Sequence, residues 1–146
     1  MTNIDKPEPR PGVSGLNHLT LSISSLERSF TFYVDVLGLK PVARWQNGAY
    51  LLAGDDWICL SVDSDCRTHI PAEYTHTAFS VSPEAYTTFA QKAGAGELQP
   101  WKINKSEGDS LYLLDPDGHK LELHVGDLES RLASLRNKPY AGLILY

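Results

Sequence analysis

Three side chains of this sequence have the types and placement to hold a divalent cation: His18, His76 and Glu122. The two histidines stand 58 positions apart in matching stretches, LNHLTLSI and YTHTAFSV, so each has the same place on an alternating strand. Glu122 lies in KLELHV, where strand alternation puts Leu121, Leu123 and Val125 on one face and Lys120, Glu122 and His124 on the other. Two imidazoles and one carboxylate leave coordination positions open, which suits an ion used as a Lewis acid. Nitrogen and oxygen donors without thiolate favour Mn, Fe, Ni, Co or Zn over copper(I). His124 shares the face of Glu122 and is the rival ligand; His69 falls in a loop and His119 in a turn.

The segment Lys102 to Ser110, KINKSEGDS, supplies a second kind of chemistry. Its two ammonium groups, its hydroxyls and the backbone freedom of Gly108 are the materials of an anion cradle, and its carbonyls can equally ring a monovalent cation. It lacks the Gly-x-x-x-x-Gly-Lys spacing of a P-loop.

The elements that must position these groups come in two copies. LNHLTLSISSLERSFTFY from Leu16 is echoed by YTHTAFSVSPEAYTTFA from Tyr74, and AYLLAGDDWICLSV from Ala49 by SLYLLDPDGHKLELHV from Ser110. Aligning Val62 on Val125 sets Cys59 opposite Glu122, so one of the two equivalent positions keeps its carboxylate. Each copy reads as strand, helix and then several strands. In the first, Leu16 to Ile23 is a strand, and Ser24 or Ser25 caps a helix bearing Leu26, Phe30, Tyr33 and Leu37 that stops at Gly38. Strands follow at Leu39 to Trp45, Ala49 to Leu52 and Trp57 to Val62, with Gln46-Asn47-Gly48 as a hairpin turn. In the second, the strand Thr75 to Val81 precedes a helix from Pro83 to about Ala93, a short strand Leu98 to Trp101, and a hairpin of Ser110 to Leu114 and Lys120 to Val125 about an Asp-Pro-Asp-Gly turn. The expected division is a disordered leader (1–14), a first module (15–62), a linker (63–72), a second module (73–126) and a C-terminal helix with tail (127–146). The fold class is α+β.

Length and charge narrow the function. A chain of 146 residues buries a core without staples. Its net charge of −5 gives a nucleic-acid partner no electrostatic support. No apolar run reaches the roughly 18 residues of a membrane span. Two cysteines, Cys59 in an apolar strand and Cys66 in a polar loop where it is a candidate reactive thiol, make no disulfide framework, and a reducing, cytoplasmic location is expected.

These residues stand in segments that closely resemble the fosfomycin-resistance glutathione transferases of the vicinal oxygen chelate superfamily. The resemblance runs through Gly15-Leu-Asn-His-Leu-Thr20, Ala43-Arg-Trp45, Gly48-Ala-Tyr50, Trp57-x-Cys-Leu-Ser61, Tyr74-Thr-His76, Trp101-Lys-x-Asn104, Ser106-Glu-Gly-Asp-Ser110, Leu121-Glu122, Ser130-Arg-Leu132 and Pro139-Tyr-Ala-Gly142. It implies two βαβββ modules in a domain-swapped homodimer, with a manganese ion (Mn2+) held by His76 and Glu122 of one module and His18 contributed across the pairing. By position it further implies a phosphonate site at Thr20, Lys102, Ser106, Ser110, Tyr112 and Arg131, and a potassium (K+) loop at Asn104, Ser106, Gly108 and Ser110. Trp45, Tyr50 and Ser61 match the thiol side, and Trp57 and Tyr74 line the pocket. Lys105 stands where close relatives carry Arg, which keeps charge but not bidentate geometry for glutathione. The implied reaction is opening of the fosfomycin epoxide by the glutathione thiolate, with Tyr50 donating a hydrogen bond to the sulfur.

Three rivals belong beside it. Hydration of the epoxide needs a carboxylate base, and Gln46-Asn-Gly-Ala-Tyr50 contains none. A magnesium-dependent branch uses bacillithiol or cysteine. Non-catalytic members of the superfamily sequester drugs such as bleomycin, a role that requires neither the metal triad nor the cation loop.

Overall fold

The computed structural model of the chain describes residues 11–146; the expected leader lies outside the described residues as far as residue 10, and residues 11–14 form no regular element. Eight strands and three helices follow: β1 (His18–Ile23), α1 (Leu26–Thr31), which runs on into a π-helical turn (Phe32–Val36), β2 (Lys40–Trp45), β3 (Gly48–Ala53), β4 (Asp56–Val62), β5 (Thr77–Ser80), α2 (Pro83–Gly94), β6 (Pro100–Lys102), β7 (Ser110–Leu114), β8 (Lys120–His124) and α3 (Leu128–Asn137). They make two four-stranded mixed sheets of the same topology, β1-β4-β3-β2 and β5-β8-β7-β6. In each sheet the first strand pairs in parallel with the last and the remaining pairs are antiparallel. The parallel pair demands a crossover, which α1 and α2 supply. The fold is therefore the α+β pair of βαβββ modules that the repeat predicts.

Register carries the repeat down to single residues. Thr20 lies beside Cys59 in the first sheet and Ala78 beside Glu122 in the second, so the position of Glu122 is that of Cys59. Strand alternation sends Leu21, Ile23, Ile58, Leu60, Leu121 and Leu123 to the helix-covered side, where all are buried. Each such fully buried side chain contributes about 1.5–3 kcal/mol. The two cores are joined, since Phe32, Leu37 and Phe79 pack against both. The opposite faces stay open, and they carry the candidate site.

Local chemistry explains most element ends. Ser25 rather than Ser24 caps α1, accepting from the Arg28 amide at 3.3 Å. Ser82 caps α2 with Pro83 at its first turn, and Asp127 with Ser130 forms a capping box on α3. Several limits differ from the sequence reading, and β1 begins at His18 rather than Leu16. β5 begins at Thr77, one residue after His76, whose ring bonds the Tyr74 carbonyl. β6 is shifted to Pro100–Lys102, with a bulge between Pro100 and Lys102.

The modules are locked by the turn between β7 and β8. Asp115 Oδ1 accepts from the amides of Asp117 and His119, which shapes the turn, while its Oδ2 accepts from the buried Tyr33 hydroxyl at 2.7 Å. Asp117 accepts from the amide and hydroxyl of Ser24, from the buried Ser29 hydroxyl and from Arg28 at 3.0 Å. His119 Nε2–H donates to the Ser22 carbonyl at 2.7 Å, so this histidine is a strut and not a ligand. Burial raises the Tyr33 pKa first and the neighbouring Asp115 raises it further, keeping the hydroxyl a donor.

Replacing Tyr33 with Phe leaves a buried carboxylate oxygen unpaired, and urea denaturation is expected to show a loss of about 1.5–3 kcal/mol. For Asp117, burial raises the pKa, but the Ser24 bonds and Arg28 outweigh it and hold the carboxyl below its usual range. A lowered folded value stabilises above the unfolded pKa of about 4 and is lost as pH falls through the folded value. The urea midpoint of the wild type should therefore drop on acidification below about pH 4 more steeply than that of Asp117→Asn.

Candidate functional site

On the open face of the second sheet, β7 and β8 set Ser110 opposite His124 and Tyr112 opposite Glu122. Glu122 is 7% exposed, and its two oxygens have different partners. Oε1 accepts from Ser110 Oγ at 2.6 Å, and Oε2 faces His76 Nε2 at 3.1 Å. Burial raises the Glu122 pKa, but hydrogen bonds from Ser110 and then Tyr112 oppose it, and the group is held below its ordinary range, as a carboxylate.

The tautomer of His76 follows from its other nitrogen. Nδ1 lies 2.8 Å from the Tyr74 carbonyl, which can only accept, so Nδ1 carries the proton. Nε2 of the neutral ring then turns a lone pair toward the carboxylate. Two acceptors facing each other at this distance repel unless a cation, or a second proton on the ring, stands between them. A carboxylate and an imidazole nitrogen oriented by its own back-bond form the donor set of a divalent ion. Among the described residues no group of three potential ligands assembles within one chain. His18 in particular does not join His76 and Glu122.

His18 occupies the open face of the first sheet, where it continues an aromatic row. Trp45 meets Tyr50 at 4.8 Å, Tyr50 meets Trp57 at 5.1 Å, and Trp57 stacks on His18 at 4.4 Å between ring centres. Strand order β1-β4-β3-β2 dictates that sequence of rings. Trp45 and Tyr50 remain substantially exposed, and Ser61 lies on the same face two positions beyond Cys59. Thr20 lines a groove of about 220 Å³ together with His76, Arg67, Glu73 and Lys120.

The aromatic surround of His76 is built by the β6 bulge. Strict alternation would send Trp101 and Lys102 to opposite faces; with the bulge, both reach Tyr112. Trp101 meets Tyr112 edge-on at 5.2 Å and His76 at 5.6 Å, and its Nε1–H donates to the Leu121 carbonyl. Lys102 Nζ donates to Tyr74 Oη at 2.5 Å and lies over the rings of Tyr74 and Tyr112. That hydrogen bond from Lys102 to Tyr74 raises the Lys102 pKa, so its cationic form is held beside the carboxylate.

The Asn104–Ser110 loop closes on itself. Asn104 donates to the Gly108 carbonyl at 2.8 Å and accepts from the amide and hydroxyl of Ser106 at 3.0 and 3.1 Å. Three of the four expected cation donors thus gather at one place; Ser110 turns away to Glu122. Arg131 reaches back from α3 and binds Glu107 through Nε at 3.1 Å and through Nη2, while Lys105 is exposed. Sequence reasoning misses the Ser110–Glu122 contact and the Glu107–Arg131 pair, although the facing positions of Ser110 and His124 are the signal that register would have given. Cys66 is no activated thiol: partial burial, then Asp117, push its pKa up.

The chain matches the model of the Glyoxalase/Bleomycin resistance protein/Dioxygenase superfamily over residues 15–123. It is 52% identical over 135 residues to the glutathione transferase FosA of Serratia marcescens, covering 90% of this chain and 95% of that one. It is 39% identical to the metallothiol transferase FosB of Shouchella clausii, covering 83% and 86%. Among solved structures, a point mutant of the fosfomycin resistance protein FosX from Listeria monocytogenes, complexed with Mn(II) and 1S,2S-dihydroxypropylphosphonic acid, superimposes with a TM-score of 0.73 at 27% identity, covering 84% of this chain and 98% of that one.

One contact in the aromatic row is open to direct test. A Cβ on Gly48 would come within 2.5 Å of the Trp45 ring and 2.7 Å of the Leu60 carbonyl. Gly48→Ala should therefore dislodge the indole, changing tryptophan fluorescence, and cost about 1–3 kcal/mol in urea denaturation.

Proposed function

Because the chain belongs to the Glyoxalase/Bleomycin resistance protein/Dioxygenase superfamily and, within it, to the fosfomycin-resistance thiol transferases, we propose that it is a metal-dependent glutathione transferase conferring fosfomycin resistance. The thiolate sulfur forms a bond to an epoxide carbon as that carbon's C–O bond breaks, and the released oxygen takes the electron pair and is then protonated. The observation that carries this reading is the His76–Glu122 pair, two acceptors oriented at each other by fixed back-bonds, in a chain 52% identical to a glutathione transferase. A divalent ion, for which Mn2+ in the FosX complex is the precedent, would supply Lewis acidity at the oxirane oxygen when held by His76, Glu122 and the His18 of a second copy. The need for that third donor, and the exposure of His18, support a homodimer.

The remaining work falls to this chain's own groups. Lys102, fixed by Tyr74 and two ring faces beside Glu122, presents its ammonium to a phosphonate, with Thr20, Ser106, Tyr112 and Arg131 as further partners. Burial raises the Tyr112 pKa above its ordinary value, so its hydroxyl stays protonated and donates. Trp45, Tyr50, Trp57 and Ser61 form the thiol side, where the exposed Tyr50 hydroxyl donates to the sulfur and favours its ionisation, and Lys105 answers a glutathione carboxylate. Asn104 Oδ1, Ser106 Oγ and the Gly108 carbonyl suit K+, a hard cation that takes oxygen donors. Unpaired Cys59 and Cys66 fit the reducing cytoplasm in which glutathione is abundant.

Mass spectrometry of fosfomycin incubated with the Mn2+- and K+-loaded protein and glutathione, cysteine or water tests the reading. The glutathione adduct is expected to dominate; a diol, or tight binding without consumption, would overturn it. Glu122→Gln should lower Mn2+ affinity in calorimetric titration by well over tenfold, with turnover lost alongside and the far-ultraviolet circular dichroism unchanged.

A further inference from the structure

His124 has no part in the function just described, yet its ring touches both halves of the cation machinery. Its Nδ1 lies 2.6 Å from Ser110 Oγ, the same distance that separates that oxygen from Glu122 Oε1. Ser110 has one proton to give, and an ionised carboxylate can only accept. The hydroxyl proton therefore goes to Glu122, and His124 must donate Nδ1–H to the hydroxyl oxygen. The result is a directed chain, His124 to Ser110 to Glu122, that fixes which carboxylate oxygen is engaged and leaves Oε2 turned to His76.

The far edge of the same ring is wedged between two glycines. A Cβ on Gly108 would lie 3.0 Å from His124 Cε1, and one on Gly126 would lie 3.0 Å from His124 Nε2. Gly108, at φ 77°, supplies the carbonyl that closes the Asn104 loop. The loop's far end is tied to the same place, since the Val125 amide donates to the Asp109 carbonyl at 2.9 Å.

We propose that His124 is a positioning residue that couples the Asn104–Ser110 loop to the metal-binding carboxylate, by its Nδ1–H through Ser110 on one side and by its ring edge against Gly108 on the other. The inference rests on the assignment of Glu122 as a metal ligand and of the loop as a K+ site. Coupling of this kind is reciprocal: loop occupancy must raise the affinity of Glu122's site for Mn2+.

Two substitutions separate the two contacts. His124→Phe keeps the ring that wedges the loop and removes the donor, whereas His124→Asn keeps a donor near the Nδ1 position and removes the ring edge. The measurement is Mn2+ affinity of the metal-free dimeric protein by calorimetry, in K+ and in tetramethylammonium. The wild type should bind Mn2+ about fivefold or more tightly in K+. His124→Phe should weaken Mn2+ binding about 10–100-fold in either salt. His124→Asn should recover Mn2+ affinity relative to His124→Ala while losing the K+ dependence.

Wild-type Mn2+ affinity and wild-type K+ dependence in both variants would overturn the proposal. So would equal affinities of the asparagine and alanine variants, a comparison that stands even if His124→Phe fails to fold. Glu122→Gln run in parallel identifies which idea has failed. If it loses Mn2+ while the His124 variants do not, the positioning role alone is wrong; if it binds normally, the metal assignment falls and this proposal with it.

Discussion

The structure depends on one part-buried polar joint, the docking of the Asp115–His119 turn onto the start of α1. A sheet face covered by a single helix leaves each module with a small core of its own, and the modules become one body only where they share Phe32, Leu37 and Phe79. Apolar contact of that kind has no preferred angle. The hydrogen bonds from Tyr33, Ser24, Ser29 and Arg28 to two carboxylates do, because each is directional and the buried ones, from Tyr33 and Ser29, leave a costly orphan if the angle is wrong. Ser29 is fully buried at this joint, and its small size lets α1 approach the turn.

Much of this is legible in the sequence. Alternation places Leu21, Ile23, Leu121 and Leu123 inward and His18 and Glu122 outward, and the internal echo yields two copies of one topology. The equivalence of Cys59 and Glu122 is a register statement, and the pairing of Thr20 with Cys59 and of Ala78 with Glu122 matches it. What stays hidden is chemistry between elements. Asp115-Pro-Asp117-Gly118 is fully accounted for as a turn, so nothing in its local pattern announces that its side chains also reach an element more than 80 residues away. His119 stands among the candidate ligands for the same reason.

The bulge at β6 and the π-helical turn after α1 escape for a different reason. Both insert a residue into a regular period, and periodicity is the signal from which such elements are read. The spacing of Leu26, Phe30, Tyr33 and Leu37 suits an unbroken helix, whereas the extra residue in Phe32–Val36 accompanies the placement of the Tyr33 hydroxyl on Asp115. In β6 the irregularity brings Trp101 and Lys102 to one ring. The tautomers of His76 and His124 lie beyond sequence altogether, since they follow from acceptors contributed by other residues.

The centre of the joint is buried whereas much of the aromatic row is exposed, and this has a bearing on how such a chain can change. Tyr33, Ser29 and Asp115 are buried at the joint, while Trp45 and Tyr50 keep exposed surface on the open face of the first sheet. Exchange of an exposed side chain on that row leaves the buried joint untouched. Variation can therefore accumulate there without first acquiring compensating mutations.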